Sequence, residues 1–211
     1  MEIIDCKSAK TTALSQTQLE AVVTAINTNQ PIVFPTDTVY GIAGNPGSKE
    51  AIETLLAAKG RGRQKPPPIL LANAQQVTKI AKDVPAAAYR LMEAFWPGAL
   101  TLILKSGEEV KYDLGDMPDT VAVRMPDNPI ALQILAKTGP LAVTSANLTG
   151  APAATDCPQA VTYFADKVAV YVDGGATEGN LPSTIVSCVD EVKILRRGKI
   201  TDTEIFEVLH A

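Results

Sequence analysis

Apolar positions along this chain follow two rhythms. Leu19, Val22, Val23 and Ile26 fall on one face of a 3.6-residue repeat, and Ser15 with Gln18 has the form of a capping box, which predicts a helix before Pro31. The next apolar runs, PIVF and VYGIA, are short and flank the turn formers Pro35, Thr36 and Asp37, so they read as strands. Ser48 then opens a helix carrying Ile52, Leu55 and Leu56. Downstream, PILLA, LTLIL, TVAVRMP and PLAVTSA read as strands. They are interleaved with helices over AAAYRLMEAFW, stopped by Pro97-Gly98, and over NPIALQILAK. The polar, acidic run from Ser106 to Asp119 reads as a loop. A helix near Pro158 to Asp166 precedes three extended runs, KVAVYVD, STIVSCV and VKILRR, and Thr201 with Glu204 caps a short C-terminal helix. Strands interleaved with helices early and adjacent strands late predict an α/β fold with a twisted, mixed β-sheet and flanking helices; the order of the strands does not follow from the pattern. No repeat or linker divides the chain, so residues 1–211 are expected to form a single domain with its core from Ser15 to Gly198.

Composition narrows the function. The chain is 46% hydrophobic and 20% charged, with 19 Lys+Arg against 23 Asp+Glu and a formal net charge of -4. Coating of nucleic acid through overall charge is thereby disfavoured, which leaves room for a local basic patch. No apolar run approaches the roughly 20 residues that span a bilayer, and a cytoplasmic protein without membrane contact is expected. Cys6, Cys157 and Cys188 are odd in number and far apart, which suggests neither a disulfide framework nor a zinc site. The sole histidine is His210, so a histidine-based triad or metal site is not expected. Both common glycine-rich phosphate loops are absent.

The local basic patch is KGRGRQKPPP. Were it extended, Lys59, Arg61, Arg63 and Lys65 would line one side of the chain at spacings of roughly 6 to 7 Å, suited to a polyanion such as triphosphate or an RNA backbone. A solvated basic loop is the competing reading. Thr36, Asp37, Thr38 and Tyr40 in FPTDTVYG can bind a small polar substrate or simply close a turn. Arg124 lies on the strand face opposite Val121 and Val123, where it can fork a carboxylate or phosphate or reach solvent from an edge strand. Thr144, Ser145 and Asn147 end one apolar strand, and Ser183 and Thr184 begin another, the kind of position at which ligands bind α/β sheets. Of the neighbours Arg196 and Arg197, at most one readily faces a shared cleft.

Taken in order, PTDTVYGI, KGRGRQKPPPILL, WPGALTLIL, TVAVRMPDNPIALQIL, TSANLTG, DGG, STIV and LRRG resemble the YrdC-like family of L-threonylcarbamoyladenylate synthases, from about Pro31 to Gly198. The resemblance implies a positively charged concave cleft. It also implies a nucleotidyltransferase that makes threonylcarbamoyl-AMP and pyrophosphate from L-threonine, bicarbonate or CO2, and ATP, with Mg2+ held mainly through the ATP phosphates. The product serves the threonylcarbamoyl modification of the adenosine beside the anticodon in tRNAs reading ANN codons, so a downstream threonylcarbamoyl transferase is an implied partner. Carried over by position, Lys59, Arg61, Thr120, Ser145, Asn147 and Arg196 are expected at ATP, and Thr36, Arg124, Val143 and Ser183 at threonine. Lys59, Arg61 and Arg124 would position substrates and stabilise charge, with no catalytic nucleophile in the protein. Leu70 stands where some family members have histidine, and the chain resembles the short form, without the additional C-terminal domain of longer members. The alternative is a YrdC-like module that binds tRNA or double-stranded RNA, or a paralogue, without this activity.

Overall fold

The computed structural model describes residues 1–7, 13–64, 66–107, 112–113 and 115–210. In chain order the strands are β1 (Glu2–Asp5), β2 (Ile32–Phe34), β3 (Gly41–Gly44), β4 (Ile69–Leu70), β5 (Leu100–Lys105), β6 (Thr120–Arg124), β7 (Leu141–Ser145), β8 (Val170–Asp173), β9 (Thr184–Ser187) and β10 (Lys193–Arg196). The α-helices are α1 (Gln16–Asn27), α2 (Lys49–Lys59), α3 (Ala86–Phe95), α4 (Pro129–Thr138), α5 (Cys157–Phe164) and α6 (Asp202–His210). Their ends follow local chemistry. Ser15 and Gln18 form the reciprocal capping box on α1, Ser48 caps α2, Asn128 caps α4 ahead of Pro129, and Thr201 with Glu204 closes the start of α6.

All strands join one mixed sheet in the order β1-β8-β2-β3-β7-β4-β6-β5-β9-β10. Its two faces are covered unequally. On one face α2, α3, α5 and α6 pack their apolar sides on strand residues that run the width of the sheet, including Val33, Ile42, Ala142, Ile69, Val123, Leu102 and Val186. On the other, α1 and α4 cover Ile4, Val170, Val172, Ile32, Phe34, Ala43, Val143, Leu141 and Leu70, and this second core stops at β4. Beyond it, β6, β5 and β9 contribute nothing to the second core.

That asymmetry is written in the alternation of the three strands. Val121 and Val123, Leu100, Leu102 and Leu104, and Val186 are buried in the first core, while Thr120, Ala122, Ile103, Lys105, Ile185 and Ser187 are only half-buried on the opposite face. The register makes a patch of the second set, because Lys105 pairs with Thr120, and Ile103 with both Ala122 and Ser187. Among the described residues no helix packs on this stretch of sheet, and polar and charged residues edge it.

Candidate active site

Arg124 ends β6 on that half-uncovered face. The edge-strand reading fails: β6 lies between β4 and β5, and Arg124 is 6% exposed. Three of its five N–H groups have partners among the described residues. Nε donates to the Gly98 carbonyl at 3.0 Å, Nη1 to Thr38 Oγ1 at 3.2 Å, and Nη2 to Asp37 Oδ1 at 2.6 Å. Gly98 is itself fixed, since its N–H donates to the Met125 carbonyl at 2.8 Å. Burial lowers the Arg124 pKa, and the Asp37 carboxylate opposes that shift.

The loop between β2 and β3 supplies the other side of this contact. Thr36 donates its hydroxyl proton to the Val39 carbonyl at 2.7 Å, so across the 3.0 Å contact between the two hydroxyls Thr38 is the donor and Thr36 the acceptor. A directed chain of donors therefore runs from Arg124 through Thr38 and Thr36 to the backbone. The turn chemistry expected of this loop is present, and it is bound to Arg124. Thr36 also neighbours Val143: a Cβ at Gly41 would lie 2.6 Å from Val143 Cγ1 and 3.9 Å from Thr36 Cγ2, a close approach that only glycine permits.

Ser183 precedes β9 and reaches the same region through β5. Its Oγ lies 2.8 Å from Thr101 Oγ1, and Arg196 donates to it from Nη2 at 3.0 Å while Nε and Nη2 grip the Ser183 carbonyl. A shift of register between Ile194 and Arg196 sets Arg196 opposite Ile185 on the half-uncovered side. In an unbroken ladder Leu195 would stand there. Arg197 turns outward to Asp202 at 2.8 Å and is largely exposed. Of the two neighbouring arginines, Arg196 thus turns to Ser183 and Arg197 away from it.

The basic run departs from its expected shape. Lys59 is the last residue of α2, and Gly60 closes the helix in the left-handed conformation at φ 63° and ψ 42°, so the four cations do not form an extended ladder. The helix carries the Lys59 side chain inward, 3% exposed, where Nζ donates to the Ser145 and Asn147 carbonyls and lies 3.4 Å from Asn147 Oδ1. Burial, helped by the Arg61 charge, pulls its pKa down to about 8. Arg61 donates to Thr144 Oγ1 at 3.0 Å. Arg63 forks Asp113, its Nη1 lying 2.9 Å from Oδ2, which ties the basic run to the loop that follows β5. Lys65 lies outside the described residues.

These groups feel one another. Burial lowers the Arg196 pKa first, and the Arg124 and Arg61 charges lower it further. Lys59, Arg61, Ser145 and Asn147 border a cavity of about 400 Å³. Thr120 borders a separate cavity of about 670 Å³ with Lys82, Lys105 and Asp119. It shares the face of Arg124, four residues away and roughly 13 Å along the strand. Leu70, in β4, pairs with both Arg124 and Leu141 and is buried in the second core, away from any polar role. Sequence reading named Asp37 and Thr38 as substrate or turn residues without linking them to Arg124, and missed Thr101. An acid and two hydroxyls between strand signals carry no mark of which arginine they will meet.

Fold and site together define an α/β protein that gathers arginines and hydroxyls over a helix-free part of its sheet. Comparison with known proteins places it: the profile of the Sua5/YciO/YrdC family, described as "Telomere recombination", matches residues 24–198, and the chain belongs to that family. A Mycobacterium tuberculosis (strain H37Rv) protein, provisionally named as a threonylcarbamoyl-AMP synthase, is 41% identical over 190 residues, 90% of this chain and 88% of that protein. The threonylcarbamoyl-AMP synthase of Bacillus subtilis (strain 168) is 36% identical over 195 residues, 91% of this chain and 56% of that protein. The crystal structure of Pyrococcus abyssi Sua5 complexed with L-threonine superposes with a TM-score of 0.91 at 32% identity, covering 99% of this chain and 61% of the other. The chain therefore spans less than two thirds of the Bacillus and Pyrococcus proteins, and most of the mycobacterial one.

Proposed function

We propose that this chain is an L-threonylcarbamoyladenylate synthase, a nucleotidyltransferase forming threonylcarbamoyl-AMP and pyrophosphate from L-threonine, bicarbonate or CO2, and ATP. The observation that carries the reading is Arg124. It is buried on the helix-free face with two N–H groups unpartnered among the described residues, on a backbone that closely matches a protein crystallised with L-threonine. Those two groups suit a carboxylate fork. Thr36 reaches Arg124 through Thr38, Ser183 is held by Arg196, and the Val143 side chain lies near Thr36 across Gly41.

Arg61 and Arg196 are the cations for the phosphates; Arg196 keeps Nη1 clear of its bonds to Ser183. Ser145, Asn147 and Thr120 complete the nucleotide side. Lys59 acts chiefly by holding the backbone at Ser145 and Asn147. The threonine amine captures CO2 to give a carbamate and releases a proton. A carbamate oxygen then bonds to the α-phosphorus as the bridge to the β-phosphate breaks, and the electron pair leaves with pyrophosphate. The substrates supply the nucleophile, so the protein contributes position and charge stabilisation. Among the described residues no three metal-binding side chains cluster, and Asp37 is engaged by Arg124. This donor set fits Mg2+ held through phosphate oxygens and water, where it would screen phosphate charge. The product would pass to a threonylcarbamoyl transferase acting on tRNA.

Pyrophosphate release by the purified protein with ATP tests this. It is expected to require both L-threonine and bicarbonate and to collapse in Lys59→Ala and Arg61→Ala. Threonine-independent release overturns the assignment, and salt-sensitive RNA binding without ATP turnover would favour an RNA-binding module.

A further inference from the structure

Arg124 and Asp37 form an ion pair with both side chains under 10% exposed, 8% and 9%. A buried pair is a weak source of stability, because two desolvated charges recover little more than their desolvation cost. Its value lies in what it orients. Asp37 Oδ1 accepts from Arg124 Nη2 at 2.6 Å and also from the Asp127 N–H at 3.1 Å, so the carboxylate is pinned to the segment that follows β6 as well as to the guanidinium. The Asp37 carbonyl lies 3.4 Å from Lys199 Nζ, beyond the β10 end of the site. The Arg196 guanidinium feels the Arg124 and Arg61 charges, and Asp37 is the acid that acts on Arg124. A guanidinium in such a region keeps one orientation only where acceptors hold it.

We infer that Asp37 is a positioning residue for the amino-acid substrate: it fixes the plane of Arg124 so that the two unpartnered N–H groups meet the substrate carboxylate. The inference rests on the proposed synthase reading. Three fixed points define the plane. Gly98 takes Nε–H, Thr38 takes one Nη1–H, and Asp37 takes one Nη2–H, which leaves one hydrogen on each terminal nitrogen. Those two are the hydrogens left for the substrate carboxylate. Gly98 is a backbone acceptor and Thr38 a weak neutral one, so Asp37 supplies the strongest of the three restraints. No contact of Asp37 itself with substrate is required.

A double-mutant cycle reads this directly. In pyrophosphate-release assays, Asp37→Ala is expected to raise the L-threonine KM about tenfold or more and the ATP KM by less than about threefold, the loss expected for one charge-assisted hydrogen bond. Asp37→Asn keeps an oxygen for Arg124 and the Asp127 N–H and is expected to recover most of the threonine KM. In an Arg124→Ala background, Asp37→Ala is expected to add nothing further. Thermal unfolding and L-threonine binding by calorimetry on the same proteins separate lost folding from lost orientation. An unchanged threonine KM in folded Asp37→Ala overturns the inference, as does a rise that persists in the Arg124→Ala background. Equal losses in Asp37→Asn and Asp37→Ala also overturn it, since an acceptor oxygen left in place would then orient nothing. If the wild-type protein releases no threonine-dependent pyrophosphate, the synthase reading fails; if it does and the cycle is additive, only the role of Asp37 fails.

Discussion

Three oxygens of its own protein surround the ammonium group of Lys59, and keeping a charge there is costly. Burial lowers its pKa from 10.5 to about 8, so between those values the unfolded chain binds a proton that the folded chain has released. Stability therefore rises with pH across that window: the cost of the buried charge is complete below about pH 8 and relieved as pH approaches 10.5. Urea unfolding of the wild type and of Lys59→Met from pH 7 to 10.5 is expected to show the difference between them moving in favour of the wild type as pH rises. A constant difference would mean that the amine titrates as it does in water. Among single residues, Arg124 was the most legible from sequence, because the alternation in TVAVR separates it from the two core valines. Lys59 was the least. A glycine on either side of Arg61 suits an extended loop as well as a helix stop, and only the packing of Leu55 and Leu56 beneath α2 decides that the helix runs on to Lys59.

Elements carry the site by meeting at closely fitted joints, of which the end of β10 is the tightest. A Cβ on Gly198 would lie 2.5 Å from the Ser183 carbonyl carbon and 2.6 Å from the Thr184 N, against rigid backbone where β9 begins. Gly198→Ala is expected to cost about 1–3 kcal/mol, as overpacking does. It should also raise the threonine and ATP requirements together, because Ser183 and Arg196 share that joint. Denaturant unfolding and pyrophosphate kinetics measure the two effects, and a variant as stable and active as the wild type would show that the joint yields. Helix starts were legible because Ser15, Ser48, Asn128 and Thr201 act within three residues of themselves. β1 was not, since EIID buries only Ile4 and its partner β8 lies more than 160 residues away. The register shift that re-aims Arg196 was equally hidden, for nothing in KILRR distinguishes a regular ladder from a bulged one.

At the scale of the molecule, strand neighbours set by long crossovers bring β7, β6 and β9 to one side of the sheet, and the order of those neighbours was beyond the reach of local pattern. What the pattern did convey was class, an alternation of helices and strands with adjacent strands late. Ligands that bind only the assembled sheet should stabilise all of it. ATP and L-threonine together, each near 100 times its dissociation constant, are expected to raise the melting temperature by about 10 to 20 °C, since each contributes about 2.7 kcal/mol and 1 kcal/mol shifts a domain of this size by about 2 to 4 °C. Thermal scans with each ligand alone and with both would check this, and no shift with either ligand would argue against a preformed site. The helix-free part of the sheet has a further meaning for how such a protein can change. Odd and even positions of β6 answer to different demands: Val121 and Val123 to folding, Thr120, Ala122 and Arg124 to the face proposed to meet ligand. Substitutions can therefore revise one set while leaving the other at rest, but the loss of a single residue from the strand would exchange the two sets at a stroke. The same parity that lets one face diverge forbids this strand to gain or lose a single residue.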